Sequence, residues 1–262
     1  MNGLSLSAVV ILGLGVCGPV MAQDAAMHAP DGGTMQRLQS IDIPSAANAP
    51  FSAVVTTDWT RIMPDGSTGT VKNHRTVARD SLGRVFQERR YFAPDGDKQT
   101  TRISEWDYQD PTRHEMCICR PETQVCTIYK YNGPATVNLP KAGPLANGKG
   151  TVTLEDLGRK TIENVDVVGS REVTTLNAGV MGNEKPEPVV KEFWYSPRLG
   201  INVTTKRFDP RASTVQNFYV TAINQGEPDA GLFHPPSGFR MVNMDALQGQ
   251  WQGQLQGWAQ GH

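Results

Sequence analysis

From Phe51 onward the chain alternates apolar and polar residues with a period of two, and clusters of turn-forming residues interrupt that alternation again and again. Phe51, Ala53, Val55 and Trp59 alternate with Ser52, Thr56, Asp58 and Thr60, the pattern of a strand with one buried face. Pro64-Asp65-Gly66, Asp80-Ser81-Leu82-Gly83, Pro94-Asp95-Gly96, Asp110-Pro111-Thr112 and Arg120-Pro121-Glu122 then recur at the spacing of long hairpin-connected strands. Strands are predicted near 51–61, 69–79, 84–92, 101–108, 113–119 and 125–131. After a break at 132–150 rich in Pro and Gly, the patterning resumes at 151–157, 160–168 and 170–176. A second loop at 177–188 precedes strands near 189–196, 201–208 and 214–224. The fold class expected is mainly β: a single large antiparallel meander, curved or half-barrel, with few short helices.

The N-terminus sets the compartment. Leu4 to Val20 is apolar or small, and Val20-Met21-Ala22 is a small-residue cleavage pattern, so residues 1–22 read as a secretory signal peptide cut near Ala22. The mature protein is expected in the periplasm or outside the cell. The apolar run falls short of the roughly 20 residues of a membrane span, and no second one follows, so no transmembrane span is expected in the mature chain. Leu14-Gly15-Val16-Cys17 has the outline of a lipid-attachment box, with Val16 a poor fit before the acceptor Cys17. Residues 23–49 read as a flexible leader rich in Ala, Pro, Gly and Asp, with a short amphipathic helix where Met35, Leu38 and Ile41 fall at helical spacing. Residues 50–242 form the β domain. Residues 243–262 form a Gln-, Gly- and Trp-rich tail expected to be disordered.

The net charge is −1, from 25 basic and 26 acidic residues mixed along the chain, which leaves no basic face for a nucleic acid. Cys117, Cys119 and Cys126 lie within ten residues of one another, and an oxidising compartment favours pairing. The segment 113–131 reads as two strands around the turn Arg120-Pro121-Glu122-Thr123. Cys117 and Cys119 then share one face, and Cys126 on the return strand can meet either. The pairing favoured is Cys119 with Cys126, leaving Cys117 odd. No further Cys or His completes a four-ligand zinc pattern, and neither a metal nor a cofactor is expected.

Motifs for catalysis are missing. There is no Gly-x-Ser-x-Gly, no HExxH, no GxGxxG after a strand and no Walker loop. Asp58 and His74 lie on neighbouring predicted strands, and Glu88, Glu105, Asp107 and Glu192 are strand carboxylates of the kind a glycosidase pair would need, but charges on an antiparallel sheet ordinarily mark its wet face. Asn202-Val203-Thr204 matches a glycosylation acceptor, a triplet that arises readily by chance. Phe193, Trp194 and Tyr195 are consecutive and must send side chains to both faces of a sheet.

The series Trp194-Tyr195-Ser196-Pro197, Asp209-Pro210-Arg211, Ile223-Asn224, Gly226-Glu227-Pro228-Asp229, Leu232-Phe233 and Pro235-Pro236-Ser237-Gly238-Phe239 resembles uncharacterised exported bacterial proteins of unknown function, over most of residues 50–242. Pro50-Phe51-Ser52-Ala53 and the hairpin from Cys119 to Cys126 fit the same group. More distantly, the closing strand with Leu232-Phe233 and Pro235-Pro236 is similar to the end of periplasmic lipoprotein carriers of the LolA and LolB type. That resemblance implies an unclosed antiparallel half-barrel holding acyl chains under helical covers. The covering helices have no good counterpart here, since 132–150 and 177–188 are too rich in Gly and Pro, and fold alone does not license function.

The function expected is therefore that of a non-enzymatic binding protein of the cell envelope, with a lipid or other hydrophobic molecule on the concave face of the sheet. Val55, Trp59, Phe86, Trp106, Phe193, Tyr195 and Tyr219 are the candidate lining residues, chosen as bulky side chains on predicted strands. The alternative is a structural or interaction module that meets an envelope protein through Trp251 and Trp258 of the tail. A hydrolase with an unrecognised site is the third reading.

Overall fold

The computed structural model describes residues 27–29, 41–95, 98–131 and 139–244. The signal segment, the short helix expected before Ile41 and the tail with Trp251 and Trp258 lie outside the described residues. The strands are β1 (Phe51–Ile62), β2 (Thr68–Arg79), β3 (Val85–Asp95), β4 (Lys98–Asp110), β5 (Glu115–Arg120), β6 (Val125–Lys130), β7 (Gly143–Pro144), β8 (Gly150–Ile162), β9 (Val165–Leu176), β10 (Glu187–Ser196), β11 (Ile201–Asp209), β12 (Thr214–Asn224) and β13 (Arg240–Asn243). All 13 belong to one sheet in the order β13-β6-β5-β4-β3-β2-β1-β12-β11-β10-β9-β8-β7. Two meanders, β1–β6 and β7–β12, are thus joined along the antiparallel pair β1–β12. Only β13 against β6 runs parallel among these pairs. The helices that lie wholly within the described residues are two short 3₁₀ turns, Pro210–Ala212 and Ala230–Phe233. No helix among these residues is long and apolar enough to cross a membrane.

The sheet is curved and does not close into a barrel, and chain length alone requires the curvature. β6 and β7 sit near opposite edges, so the link 131–142 must run from one side of the sheet to the other. Eleven strand spacings of ~4.8 Å span about 53 Å in a flat sheet, whereas that link reaches at most about 45 Å when fully extended. The edges must therefore approach each other.

One sequence boundary moves. The expected segments 151–157, 160–168 and 170–176 are two long strands, β8 and β9, which turn at Glu163 and Asn164 with φ of 49° and 60°. Two successive left-handed residues make the hairpin turn whose twist matches the strands. Gly158 does not end a strand. It marks a register shift within the β8–β9 pair, with φ of 78°, as a bulge does.

Register sorts the side chains onto two faces. On the first, Thr57 lies opposite Phe218, Phe218 opposite Thr205, and Thr205 opposite Phe193; it is called here the Phe193 face. Phe51, Ala53, Val55, Val77, Val85, Phe218 and Val220 are buried in one core cluster with Ile41 and Ile43. The latter two come from the segment before β1, and two buried arginines hold that segment down. Arg79, fully buried, donates to the carbonyls of Ala49 (2.9 Å), Pro44 (2.8 Å) and Leu199 (2.5 Å) and stacks over Phe51. Arg75 donates to Gln87 Oε1 and to the carbonyl of Ile41, each at 2.5 Å. Burial lowers Arg75 to about 9 and Arg79 to about 10. These guanidiniums spend their donors on backbone carbonyls that would otherwise be buried without partners. On the second face Ala78 lies opposite Phe86, Phe86 opposite Tyr108, Tyr108 opposite Cys117, and Cys117 opposite Ile128; it is called here the Tyr108 face. Among the described residues the covers are largely irregular chain, residues 41–49 on one side and 229–239, with the 3₁₀ turn Ala230–Phe233, on the other.

Candidate binding site

The wall of the Tyr108 face is built by alternation. Ala78, Phe86, Tyr108, Cys117, Cys119, Cys126 and Phe233 form its buried cluster, with Trp106, Ile128, Leu232 and Phe239 packed against them. Asp229 starts the covering segment: its Oδ1 accepts from Gly231 N at 2.8 Å and caps the turn Ala230–Phe233. That turn buries Phe233, over which the Arg84 guanidinium sits at 5.1 Å. Phe239 meets Trp106 at a centroid distance of 6.0 Å, and β13 then pairs with β6, with Met241 opposite Cys126.

Between wall and cover lies a cavity of about 360 Å³. Tyr108, Cys117, Ile128, Phe233 and Met241 supply its apolar lining, and Arg84, Asp110, Arg113, Glu115 and His234 its polar rim. Both rim arginines are ion-paired: Arg84 with Asp80 at 2.6 Å and Arg113 with Glu115 at 2.9 Å. Asp110 Oδ1 accepts from the backbone N–H groups of Thr112 and Arg113. Cys119 and Cys126 form a disulfide on the same face, and the free Cys117 Sγ stands 3.8 Å from Cys119 Sγ. Burial pushes the Cys117 thiol up to about 11 and the Tyr108 hydroxyl up to about 12. Both stay protonated at neutral pH, so Cys117 is not a thiolate nucleophile there. The three sulfurs lie within 4.8 Å of one another, but two are spent on the disulfide, and a metal needs thiolates.

A second, more open cavity of about 390 Å³ lies at the β8–β9 hairpin, lined by Arg159, Lys160, Thr161, Asp166, Val167, Val168, Pro197 and Arg198. Lys160 Nζ covers the Trp194 ring at 3.5 Å there, and Asp166 is engaged by Thr161 Oγ1 at 3.0 Å.

The seven lining residues expected from the sequence divide between the faces. Val55, Trp59 and Phe193 lie on the Phe193 face, where Val55 and Phe193 are buried in packed core. Phe86, Trp106 and Tyr219 lie on the Tyr108 face, Tyr219 opposite Thr56 and far along the sheet from the other two. Tyr195 follows a register shift after Trp194 and stands opposite Asn202 and Val168. None of the seven lines the 360 Å³ cavity. The residues that do, Tyr108, Cys117 and Ile128, carry a signal that alternation could have yielded, since they share one face of three successive strands. Phe233 and Met241 carry none, because their covering position depends on where the closing segment folds back. Asp58 and His74 share a face but not a pair: Asp58 is opposite Lys72 and His74 opposite Thr56. Among the strand carboxylates, Asp107 is held by Arg89 at 2.6 Å, Glu105 by Arg120 at 3.4 Å, Glu88 by Arg90 at 3.0 Å and Glu192 by Arg171 at 3.2 Å. Each of these four carboxylates is thus engaged by an arginine.

No protein-family model and no curated protein sequence matches the chain. Solved structures show distant likeness of strand layout. An uncharacterized conserved protein from Thermus thermophilus is 10% identical, with a TM-score of 0.40 over 74% of this chain and 90% of that one. The MucA/MucB complex of Pseudomonas aeruginosa contains a chain that is 14% identical, with a TM-score of 0.35 over 72% of this chain and 56% of that one. This chain thus spans little more than half of that match. A LolA superfamily protein from Nitrosomonas europaea is 11% identical, with a TM-score of 0.26 over 71% of this chain and 90% of that one.

Proposed function

We propose that the protein is an exported, non-enzymatic binding protein of the cell envelope that holds a lipid or other amphiphilic molecule in the cavity on the Tyr108 face. The observation that carries this reading is the cavity itself: about 360 Å³, within the range ligand sites use, with an apolar lining and a charged mouth. An apolar chain would lie on Tyr108, Ile128, Phe233 and Met241, gaining the transfer free energy of its buried surface. Its polar end would face a rim whose two arginines are already ion-paired, which suits a headgroup without a net negative charge. The apolar lining and the ion-paired arginines at the mouth support binding as the site's role.

The test is native mass spectrometry of the mature protein purified from its own envelope, beside two variants. Met241→Glu places a charge at a half-exposed lining position without disturbing the floor, and Ile128→Trp fills the cavity. The wild type is expected to carry a co-purifying apolar adduct that both variants lose while still folding. A wild type free of adducts that also fails to take up fatty acid or phospholipid would overturn the reading.

A further inference from the structure

Three consecutive leader residues are bound by three adjacent strands of the Phe193 face. Met27 O accepts from Ser170 Oγ of β9 at 3.3 Å. The His28 ring stacks on Phe193 of β10, with centroids 3.7 Å apart and planes within 10°, and its Nε2 meets Glu172 Oε1 of β9. Ala29 N donates to Asn202 Oδ1 of β11 at 3.0 Å, and Asn202 Nδ2 donates to Ala29 O at 2.9 Å. His28, Ala29, Ser170, Glu172, Phe193 and Asn202 are all buried, the most exposed of them 6%.

That set of contacts has the chemistry of polypeptide recognition. One side-chain amide that satisfies both the N–H and the C=O of a single residue does what a neighbouring strand does, and it reads backbone rather than side chain. Selectivity comes one residue earlier, where Phe193 presents a flat apolar face and Glu172 an acceptor; together they suit a planar side chain with an N–H donor. Further along the face, other polar groups lack partners. Thr205, opposite Phe193, and Gln216 and Trp59, further along the same face, have buried polar atoms (Oγ1, Oε1 and Nε1) without a hydrogen-bond partner. Glu172, Asn202 and Ser170 would lose the partners that residues 27–29 supply when the site is vacated, which favours an occupant.

We propose that the Phe193 face carries a binding groove for a short peptide that bends at a planar donor side chain followed by a small residue, and that residues 27–29 fill it in cis. This groove is separate from the cavity on the Tyr108 face and stands or falls without it. The 11-residue link 30–40 to Ile41 tethers the occupant, and a short tether gives an effective concentration on the order of millimolar. A free peptide therefore competes poorly until the tethered one is weakened.

The test uses the full mature chain and a fluorescent synthetic peptide with the sequence of residues 24–31. The wild type is expected to bind it weakly, His28→Ala at least tenfold more tightly, and His28→Ala with Asn202→Ala no better than the wild type. A peptide with its histidine replaced by alanine should lose binding to His28→Ala. Circular dichroism confirms that each variant is folded. Hydrogen exchange supplies an independent reading: the Ala29 amide should be protected in the wild type and exposed in Asn202→Ala. An unprotected Ala29 amide overturns the proposal, as does a His28→Ala protein that binds the peptide no better than the wild type. Protection that depends on protein concentration, with dimers in solution, would give the groove to a second copy's leader and overturn the cis assignment.

Discussion

At position 117 a thiol lies 3.8 Å from one sulfur of a disulfide yet is poised to stay there unreacted. Burial raises it from 9.0 to about 11, which lowers its thiolate fraction at pH 8 about a hundredfold. Alkylation by iodoacetamide at pH 8 should accordingly be at least tenfold slower in the native protein than in urea. A thiol held above its unfolded value stabilises the fold fully below the unfolded value, and that contribution is lost as pH rises through the folded one. Denaturant midpoints should therefore fall between about pH 9 and 11 in the wild type, and fall less in Cys117→Ser. Gly169 makes a packing prediction: a Cβ there would stand 2.6 Å from the Trp194 ring, so Gly169→Ala should destabilise by about 1–3 kcal/mol, read as a lowered melting temperature. At this scale the sequence was only partly legible. The pairing of Cys119 with Cys126 could be read because a hairpin turn lies between them. The contact of His28 with Glu172 could not, since 144 residues separate them and no periodicity surrounds His28.

Individual elements depend on segments that are not elements. Residues 42–50, just before β1, form no strand, yet Arg79 binds them to the sheet and reaches Leu199 between β10 and β11 with the same guanidinium. Arg79→Met should leave three carbonyls without donors and cost about 3 kcal/mol or more, measured as a shift in urea midpoint. The strands themselves were legible because alternation and turn residues agreed along most of the chain. Where they failed, around Gly158 and Gly169, the glycines were serving a bulge and a Trp contact, while the true turn at Glu163-Asn164 contains no glycine at all. β13 escaped notice for another reason. Four residues are too few to show a period, and its pairing with β6 is parallel and set by the tertiary fold.

Across the whole molecule, one sheet with two faces needs two covers, and the chain supplies them from its two ends. Alternation announces a curved β-sheet but leaves open which positions share a face, because that depends on register. This is why seven bulky strand residues were expected to line one surface and are divided between two. The edges are blunted by length: β7 has two residues and β13 four, too short to template another chain readily. Val242→Pro should detach β13 and expose the edge of β6, and size-exclusion chromatography should then show self-association that the wild type lacks. The link 131–142, which forces the sheet to bend, has a mechanical meaning as well. It is a stop: whatever unrolls the sheet, whether an arriving ligand or an applied force, must halt once those residues are taut at about 45 Å, and inserting residues there would let the two edges swing wider without altering a single strand pair.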